Sequence, residues 1–507
     1  MPASATDKAE AYLGHFPDAE LVFGICSPLG TKYGPVVESL THYLEQFDYS
    51  TNVIKLSDQF DDLLKFLGED RMVQASKGAH QIETKIHAGN LIREKTEKAD
   101  ILSLVAATAI AGMREEEEGT AKRLPLKRNA HIVVSLKRPE EVETLRKFYG
   151  AGFFLVGIAS SPTERAKYLI DERGFDEKQV KLLIETDAKE VDTWGQRTRD
   201  TFFLSDVFVT ATEDKGQLRR FVDLVFGNPF ETPTIVERSM YAAYSASFSS
   251  GDLARQVGAA LVNASNDLLA VGWNDVPKFG GGLYSCGSTF RDMDLGFDSN
   301  DVEKGELADR IRLGLGDSWN TVESQKAFTK VLLAAGFFDI TEFHRAVHAE
   351  MEALLSCGRK GISTQNASLF VTTFPCHNCT KHIIAAGVKE VFYIEPYAKS
   401  KAFTLHGDAI SAVADGEKTI PFLPFVGIGP RRYLDLFSLT LGTGDPVERK
   451  ANGKKFVWER GTAVPRLQMQ PISYLDRETL AMSRLSELLA LKTHQNESVY
   501  DEDYNVK

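Results

Sequence analysis

The sequence predicts an α/β protein of two main domains, a doubly wound parallel sheet in the first half and a three-layer α/β/α domain in the second. Apolar runs such as LVFGIC, HIVVS and FFLVGIA alternate in the first half with charged, helix-forming segments, the pattern of a parallel sheet buried on both faces. In the second half a helix-period segment, a strand, a second helix and a second strand follow one another between residues 342 and 396. That order suits helices layered on a sheet. NPFETPT, residues 228–234, interrupts both patterns and marks the boundary. The expected division is residues 1–230, residues 231–480 and a polar, acidic tail at 481–507, where HQNESVYDEDYNVK is expected to be disordered.

In the first half, ELVFGIC is a strand that runs through SPLGTKYG into the amphipathic helix PVVESLTHYLEQF. ADILSLVAATAIAG, NAHIVVSLKRPEEVETLRKFYG and FFLVGIASSPTERAKYLI supply further α/β material, and REEEEGTAKR at 114–123 is expected to be a solvated loop. In the second half, EFHRAVHAEMEALLSCGRKG places apolar residues three and four apart and ends on glycine, as a helix does. ASLFVTTF is rich in β-branched and aromatic residues and reads as a buried strand stopped by Pro375. CTKHIIAAG is the next helix and VKEVFYIEP the next strand.

At 507 residues, 43% hydrophobic and 26% charged, the chain has the composition of two to four globular domains. Five cysteines are too few for a disulfide framework, which points to a reducing compartment. No signal-peptide core or membrane-length apolar run is present, so a cytoplasmic location away from membranes is expected. The net charge of −12 argues against a large nucleic-acid surface, but allows a local basic pocket for a small phosphorylated ligand.

Four residues carry the chemistry. His348 and Glu350 stand in H-A-E, and Cys376 and Cys379 in P-C-x-x-C, the signature of a zinc nucleobase deaminase. One imidazole and two thiolates give a zinc ion three protein ligands and leave a fourth position open, as catalysis requires. Glu350 can then move protons without being a ligand. Thiols at a helix N-terminus feel the positive end of its dipole, which favours the thiolate. A redox pair would not need H-A-E. A structural site would need a fourth ligand, for which only His344, Cys357, His377 and His382 lie near in sequence. Cys286, alone in GGLYSCGSTFRDMD, is assigned no second metal.

The loop after the first strand resembles a phosphate-binding loop in context but not in order. A P-loop reads G-x-x-x-x-G-K-[ST]; here Gly24 and Gly30 enclose five residues, and Thr31 precedes Lys32. Two readings stay open: a site for ATP or another nucleotide with Mg2+ at Gly24, Gly30, Thr31 and Lys32, or a relic that serves only packing.

From about residue 20 to about 440 the chain resembles the bacterial antiphage dCTP/dCMP deaminases, in which a P-loop, nucleoside-kinase-like domain is fused to a cytidine deaminase-like domain. The stretches that carry the resemblance include AGNLIRE, VVSLKRPEEVETLRKFYG, GQRTRDTFFLSDVFV, ARQVGAALVN, VGWNDVPKFGGGLY, EFHRAVHAEMEAL, TTFPCHNCTKHIIAAG, YIEPYAKSKAFTLH and FVGIGPRRYLDLF. The resemblance implies one catalytic zinc and free deoxycytidine nucleotides, dCTP or dCMP, as substrate. It also implies a homo-oligomer and a first half that senses a nucleotide or an inhibitory small RNA. It places Asn274 and Arg255 against the nucleoside and Tyr397, Lys399, Arg431 and Arg432 near its phosphates, where Lys and Arg suit phosphoryl oxygens. Asp275 stands where family members usually have glycine. Two other functions fit the residues alone: a deaminase of RNA or single-stranded DNA, and a nucleotide-sensing NTPase with an inert zinc module.

Overall fold

The computed structural model describes residues 16–69, 79–114, 124–189, 194–211, 216–316, 321–340, 342–397, 400–414, 416, 418–469 and 471–502. The chain divides into two compact units, residues 1–233 with 426–507, and residues 234–425. The first change of unit falls between Pro233 and Thr234, inside NPFETPT, and the chain returns to the first unit at Val426, where the sequence was expected to stay with the second as far as 480. Most of the loop expected at 114–123 lies outside the described residues.

The first unit is built on β1 (Leu21–Cys26), β2 (Ser50–Lys55), β3 (Asn129–Val134), β4 (Phe153–Ala159) and β5 (Val207–Thr210). They form one parallel array in the order β2-β3-β1-β4-β5, and the short strand Gly427–Ile428 adds antiparallel to β5. Every residue of β1, β3 and β4 is buried, which explains their unbroken apolar runs. Helix α1 (Gly34–Glu45) follows β1 and buries Val36, Val37, Leu40 and Leu44. ADILSLVAATAIAG is apolar all round, and it forms α2 (Ile101–Gly112), a helix buried on nearly every side. Periodicity alone does not separate such a helix from a strand. Helix α3 (Pro139–Tyr149) leads into β4, α4 (Pro162–Asp171) follows β4, and α5 (Gln217–Val225) follows β5.

The returning segment is fixed by charge as well as by apolar contact. Arg432, expected near substrate, is buried here instead: its Nε reaches Asp206 at 3.2 Å, its Nη2 donates to Phe153 O at 2.7 Å, and its Nη1 reaches Asp435 at 3.1 Å. Asp206 also accepts from Arg146 at 3.1 Å and from the Leu155 amide at 2.7 Å. Burial by itself would raise the Asp206 carboxyl, but the Arg146 and Arg432 charges hold it below the ordinary aspartate range.

The expected disordered tail is in fact a helix, Pro471–Glu502. Tyr474, Glu478, Ala481, Leu485 and Leu488 recur at four and three residues and are all buried, a stripe that packs on α2 and α3. The Tyr474 hydroxyl donates to Glu20 and the Tyr149 hydroxyl to Glu478, each at 2.6 Å, and Arg114 pairs with both carboxylates. The polarity of the residues after 494 hid this stripe; residues 503–507 lie outside the described residues.

The second unit holds β6 (Gly258–Val262), β7 (Leu268–Trp273), β8 (Ser368–Thr373), β9 (Glu390–Glu395), β10 (Ile410–Ser411) and β11 (Ile420–Pro424). Their order is β10-β11-β9-β8-β6-β7, antiparallel at β6–β7 and β6–β8 and parallel from β8 outward. Three helices cover the faces: α6 (Ile235–Ser247), α7 (Ala349–Lys360) and α8 (His377–Ala385). Two glycines record how closely α6 and α7 approach. A Cβ on Gly258 would collide with the α6 backbone at Ala243 and Ser247, and one on Gly272 with the α7 backbone at Ala349 and Ala353. Gly272 pairs with Ala259, the neighbour of Gly258, so the two glycines face opposite sides and the unit is three layers.

Asp206→Ala removes the carboxylate shared by buried Arg432 and part-buried Arg146 and is expected to lower stability by about 3 kcal/mol, read as a shift in the urea midpoint. Since the Asp206 pKa is depressed in the folded state, its contribution is full above the ordinary aspartate range. It fades as pH falls through the depressed value, so the gap between Asp206→Ala and wild type closes in acid.

Candidate active site

Two helix starts meet at one point. His348 is the N-cap of α7 with Glu350 in its first turn, and Cys376 is the N-cap of α8 with Cys379 in its first turn. Strand β8 ends at Thr373, and Pro375 cannot continue it, so the chain turns there. The Ser400 hydroxyl donates to Pro375 O at 2.8 Å and secures that turn. His348 Nδ1 lies 3.4 Å from Cys376 Sγ and 3.3 Å from Cys379 Sγ, and the three ligand atoms all lie within 4.8 Å of one another. A tetrahedral zinc with Zn–S of about 2.3 Å and Zn–N of about 2.0 Å separates nitrogen from sulfur by roughly 3.5 Å. The residues therefore fit zinc, bound through Nδ1 of the imidazole. Among the described residues no second group of such ligands occurs.

The protonation of the site agrees with a metal centre. A hydrogen bond from Cys379, with further help from His348, brings the Cys376 thiol down to about 4. Burial pushes Cys379 well above the usual thiol range. Burial lowers the His348 imidazole, but hydrogen bonding and charge from Cys376 outweigh it and raise it to about 9. One thiolate is thus preformed, and an arriving cation displaces the remaining protons. Glu350 is 4% exposed; burial, then the Cys376 charge, lifts its carboxyl to about 7. That is the range in which a carboxyl can both accept and return a proton near neutrality.

Asn274 and Arg255 stand at the ends of β7 and β6. Asn274 is buried, and its side-chain amide ties the end of β7 to the segment before β6: Oδ1 accepts the Val257 amide at 2.7 Å and Nδ2 donates to Arg255 O at 2.9 Å. Arg255 Nη1 lies 3.2 Å from Glu395, which also accepts from the Thr373 hydroxyl at 3.2 Å. Tyr397 is half-buried and packs against the core of the unit, and Lys399 lies outside the described residues. Arg431, exposed, and Arg432, buried, belong to the first unit. Sequence reasoning missed Glu395 and the pair formed by His344 Nε2 and Asp252 Oδ2 at 3.3 Å. Neither pair has local sequence spacing, so only the fold brings them together.

The P-loop-like residues divide. Gly24 lies inside β1, where a Cβ would meet Leu136, Phe153 and Leu155, so it is a packing glycine and not a loop residue. Gly30 takes a φ of 81° in the turn. Lys32 is spent on an exposed ion pair with Glu172 at 2.9 Å. Thr31 is buried, and its hydroxyl has no hydrogen-bond partner among the described residues.

Residues 234–395 match the family model of the cytidine and deoxycytidylate deaminase zinc-binding region. The matched part contains His348, Glu350, Cys376 and Cys379. ComE operon protein 2 of Bacillus subtilis (strain 168) is 49% identical over 53 residues, 10% of this chain and 28% of that protein. The deoxycytidylate deaminase of Enterobacteria phage T4 is 42% identical over 55 residues, 11% of this chain and 28% of that protein. The human deoxycytidylate deaminase is 26% identical over 158 residues, 31% of this chain and 63% of that protein. The chain thus spans under a third of the first two relatives' length. The solved dCMP deaminase of cyanophage S-TIM5, in complex with dCMP and dUMP, aligns with 38% of this chain and 98% of that chain at 21% identity, with a TM-score of 0.24. No described helix is long and apolar enough to cross a membrane.

Cys379→Ala is expected to reduce bound zinc from one ion per chain to near none after dialysis, measured by atomic emission. Cys357, also fully buried but set in the apolar core, serves as the control, and Cys357→Ser is expected to keep its zinc.

Proposed function

We propose that the chain is a zinc-dependent hydrolase that deaminates deoxycytidine nucleotides to deoxyuridine nucleotides and releases ammonia. The observation that carries this is the buried Glu350 carboxyl beside a three-ligand His-Cys-Cys set. A purely structural zinc would take a fourth protein ligand and would have no use for that carboxylate. When bound, zinc supplies Lewis acidity that brings the pKa of water to about 7. Glu350 takes the proton of the water that attacks C4 of cytosine and passes it to N3. It then delivers a proton to the departing amine. Asn274 braces the β6 and β7 ends that form one wall of the nucleoside site, and Arg255, half-exposed beside Glu395, offers a guanidinium to the nucleoside.

The finer reading is part of the same proposal: dCTP as well as dCMP as substrate, assembly into a homo-oligomer, and depletion of the deoxycytidine nucleotide pool in antiphage defence. The first unit would restrain that activity in response to a nucleotide or a small RNA. The resemblance over residues 20–440 supports it. So does the position of the 27–33 loop at the C-terminal end of central β1, the edge at which open α/β sheets bind ligands.

Glu350→Ala is expected to stay folded and zinc-loaded while ammonia release falls on the order of 100- to 10,000-fold. The assay compares dCMP, dCTP, CTP and a cytosine oligonucleotide. Turnover of the free deoxynucleotides supports the proposal; turnover of the oligonucleotide alone, or full activity of Glu350→Ala, contradicts it.

A further inference from the structure

Asp275, which follows Asn274, is 1% exposed. Its Oδ2 accepts the Gly251 amide at 3.0 Å and its Oδ1 the Val276 amide at 2.8 Å. Its main chain exchanges two hydrogen bonds with Val347, the residue before ligand His348: Asp275 N to Val347 O at 3.3 Å and Val347 N to Asp275 O at 2.9 Å. A buried carboxylate served by amides is costly without a counter-charge, and Arg291 Nη1 lies 3.8 Å from it.

The neighbouring residue completes a clamp of alternating charge. Asp292 pairs with Arg345 Nη1 at 2.7 Å, and Arg345 Nη2 donates to Phe290 O at 3.2 Å. Two consecutive residues of opposite sign thus grip the frame of the metal site, Arg291 at Asp275 and Asp292 at Arg345. Space is as tight as charge is matched: a Cβ on Gly251 would lie 2.7 Å from Met293 Sδ, 2.9 Å from Arg291 Nη1 and 3.2 Å from Asp275 Oδ2. Gly251 is followed by Asp252, which holds His344, and the His344 ring lies edge-on to that of His348 with centroids 5.9 Å apart.

We infer that Asp275 is a positioning residue that sets the loop carrying His348, and that Arg291, from the long segment between Val276 and His344, is its counter-charge. That segment therefore braces the metal site rather than decorating it. This inference rests on the zinc reading of the site. The side chain is what matters: a glycine at 275 could keep the main-chain bonds to Val347 but could hold neither Gly251 nor Arg291.

The test measures zinc release from the full chain to a chromogenic chelator, with ammonia release followed in parallel. Arg291→Ala leaves Asp275 buried and unpaired, and zinc release is expected to quicken on the order of 10- to 100-fold. In Asp275→Asn/Arg291→Ala the side-chain oxygen still accepts from Gly251, gives up the local bond from the Val276 amide and carries no charge, and release returns to within a few fold of wild type. General loss of packing would not be rescued by neutralising a second residue. Arg291→Ala releasing zinc at the wild-type rate, or a double variant no better than the single one, overturns the inference alone. A wild-type chain that takes up no zinc overturns the reading beneath it.

Discussion

The second unit is organised around the meeting of two helix N-termini. A thiolate, a thiol and an imidazole can be brought together, with the imidazole nitrogen 3.3–3.4 Å from each sulfur, only if something offsets the cost of crowding charge into a buried space. Three things do so here. The α8 amides face the sulfurs, as when Cys379 N donates to Cys376 Sγ at 3.4 Å. His348 and Cys376 share opposite charge. A divalent cation fits the triangle they leave. The parallel pairing of β8 with β9 and the glycine-tight seating of α7 on β7 exist, in functional terms, to hold those two helix starts in register.

Around that point the charges are arranged in pairs that join distant segments: Arg255 with Glu395, His344 with Asp252, Arg291 with Asp275 and Arg345 with Asp292. Each ties a loop to a strand end or to the ligand loop. The first unit uses the same device for a different purpose. Asp206 collects Arg146 and Arg432, and Glu20 and Glu478 share Arg114, which returns residues 426–502 to a sheet that began near residue 20. Buried pairs of this kind are costly to break and contribute mainly by fixing one arrangement.

The metal centre was legible in the sequence because zinc chemistry needs particular residue types at short spacings, and H-A-E with P-C-x-x-C states them outright. Strands β1, β3, β4 and β8 were legible because burial on both faces writes itself as a near-continuous run of apolar and β-branched residues, and part-buried β9 because its centre, VFYI, is β-branched and aromatic. The returning C-terminal segment was not, because its anchors are partners hundreds of residues away: Arg432 with Asp206, and Tyr474 with Glu20. Arg432 shows the cost of reading a loop arginine by type alone, since the same guanidinium suits a phosphate or a buried aspartate. Gly24 shows it again: in the sequence it opens a phosphate loop, and in the fold it is the spot in β1 where Leu136 and Phe153 leave no room for a Cβ.

The central claim is that His348, Cys376 and Cys379 hold one zinc with a position left open. X-ray absorption at the zinc edge on the purified full-length chain tests it most directly. The expected spectrum has two sulfur scatterers near 2.3 Å and two light-atom scatterers near 2.0 Å, one from the imidazole and one exchangeable. A shell of four protein ligands, or a chain that purifies and reconstitutes without zinc, would contradict it.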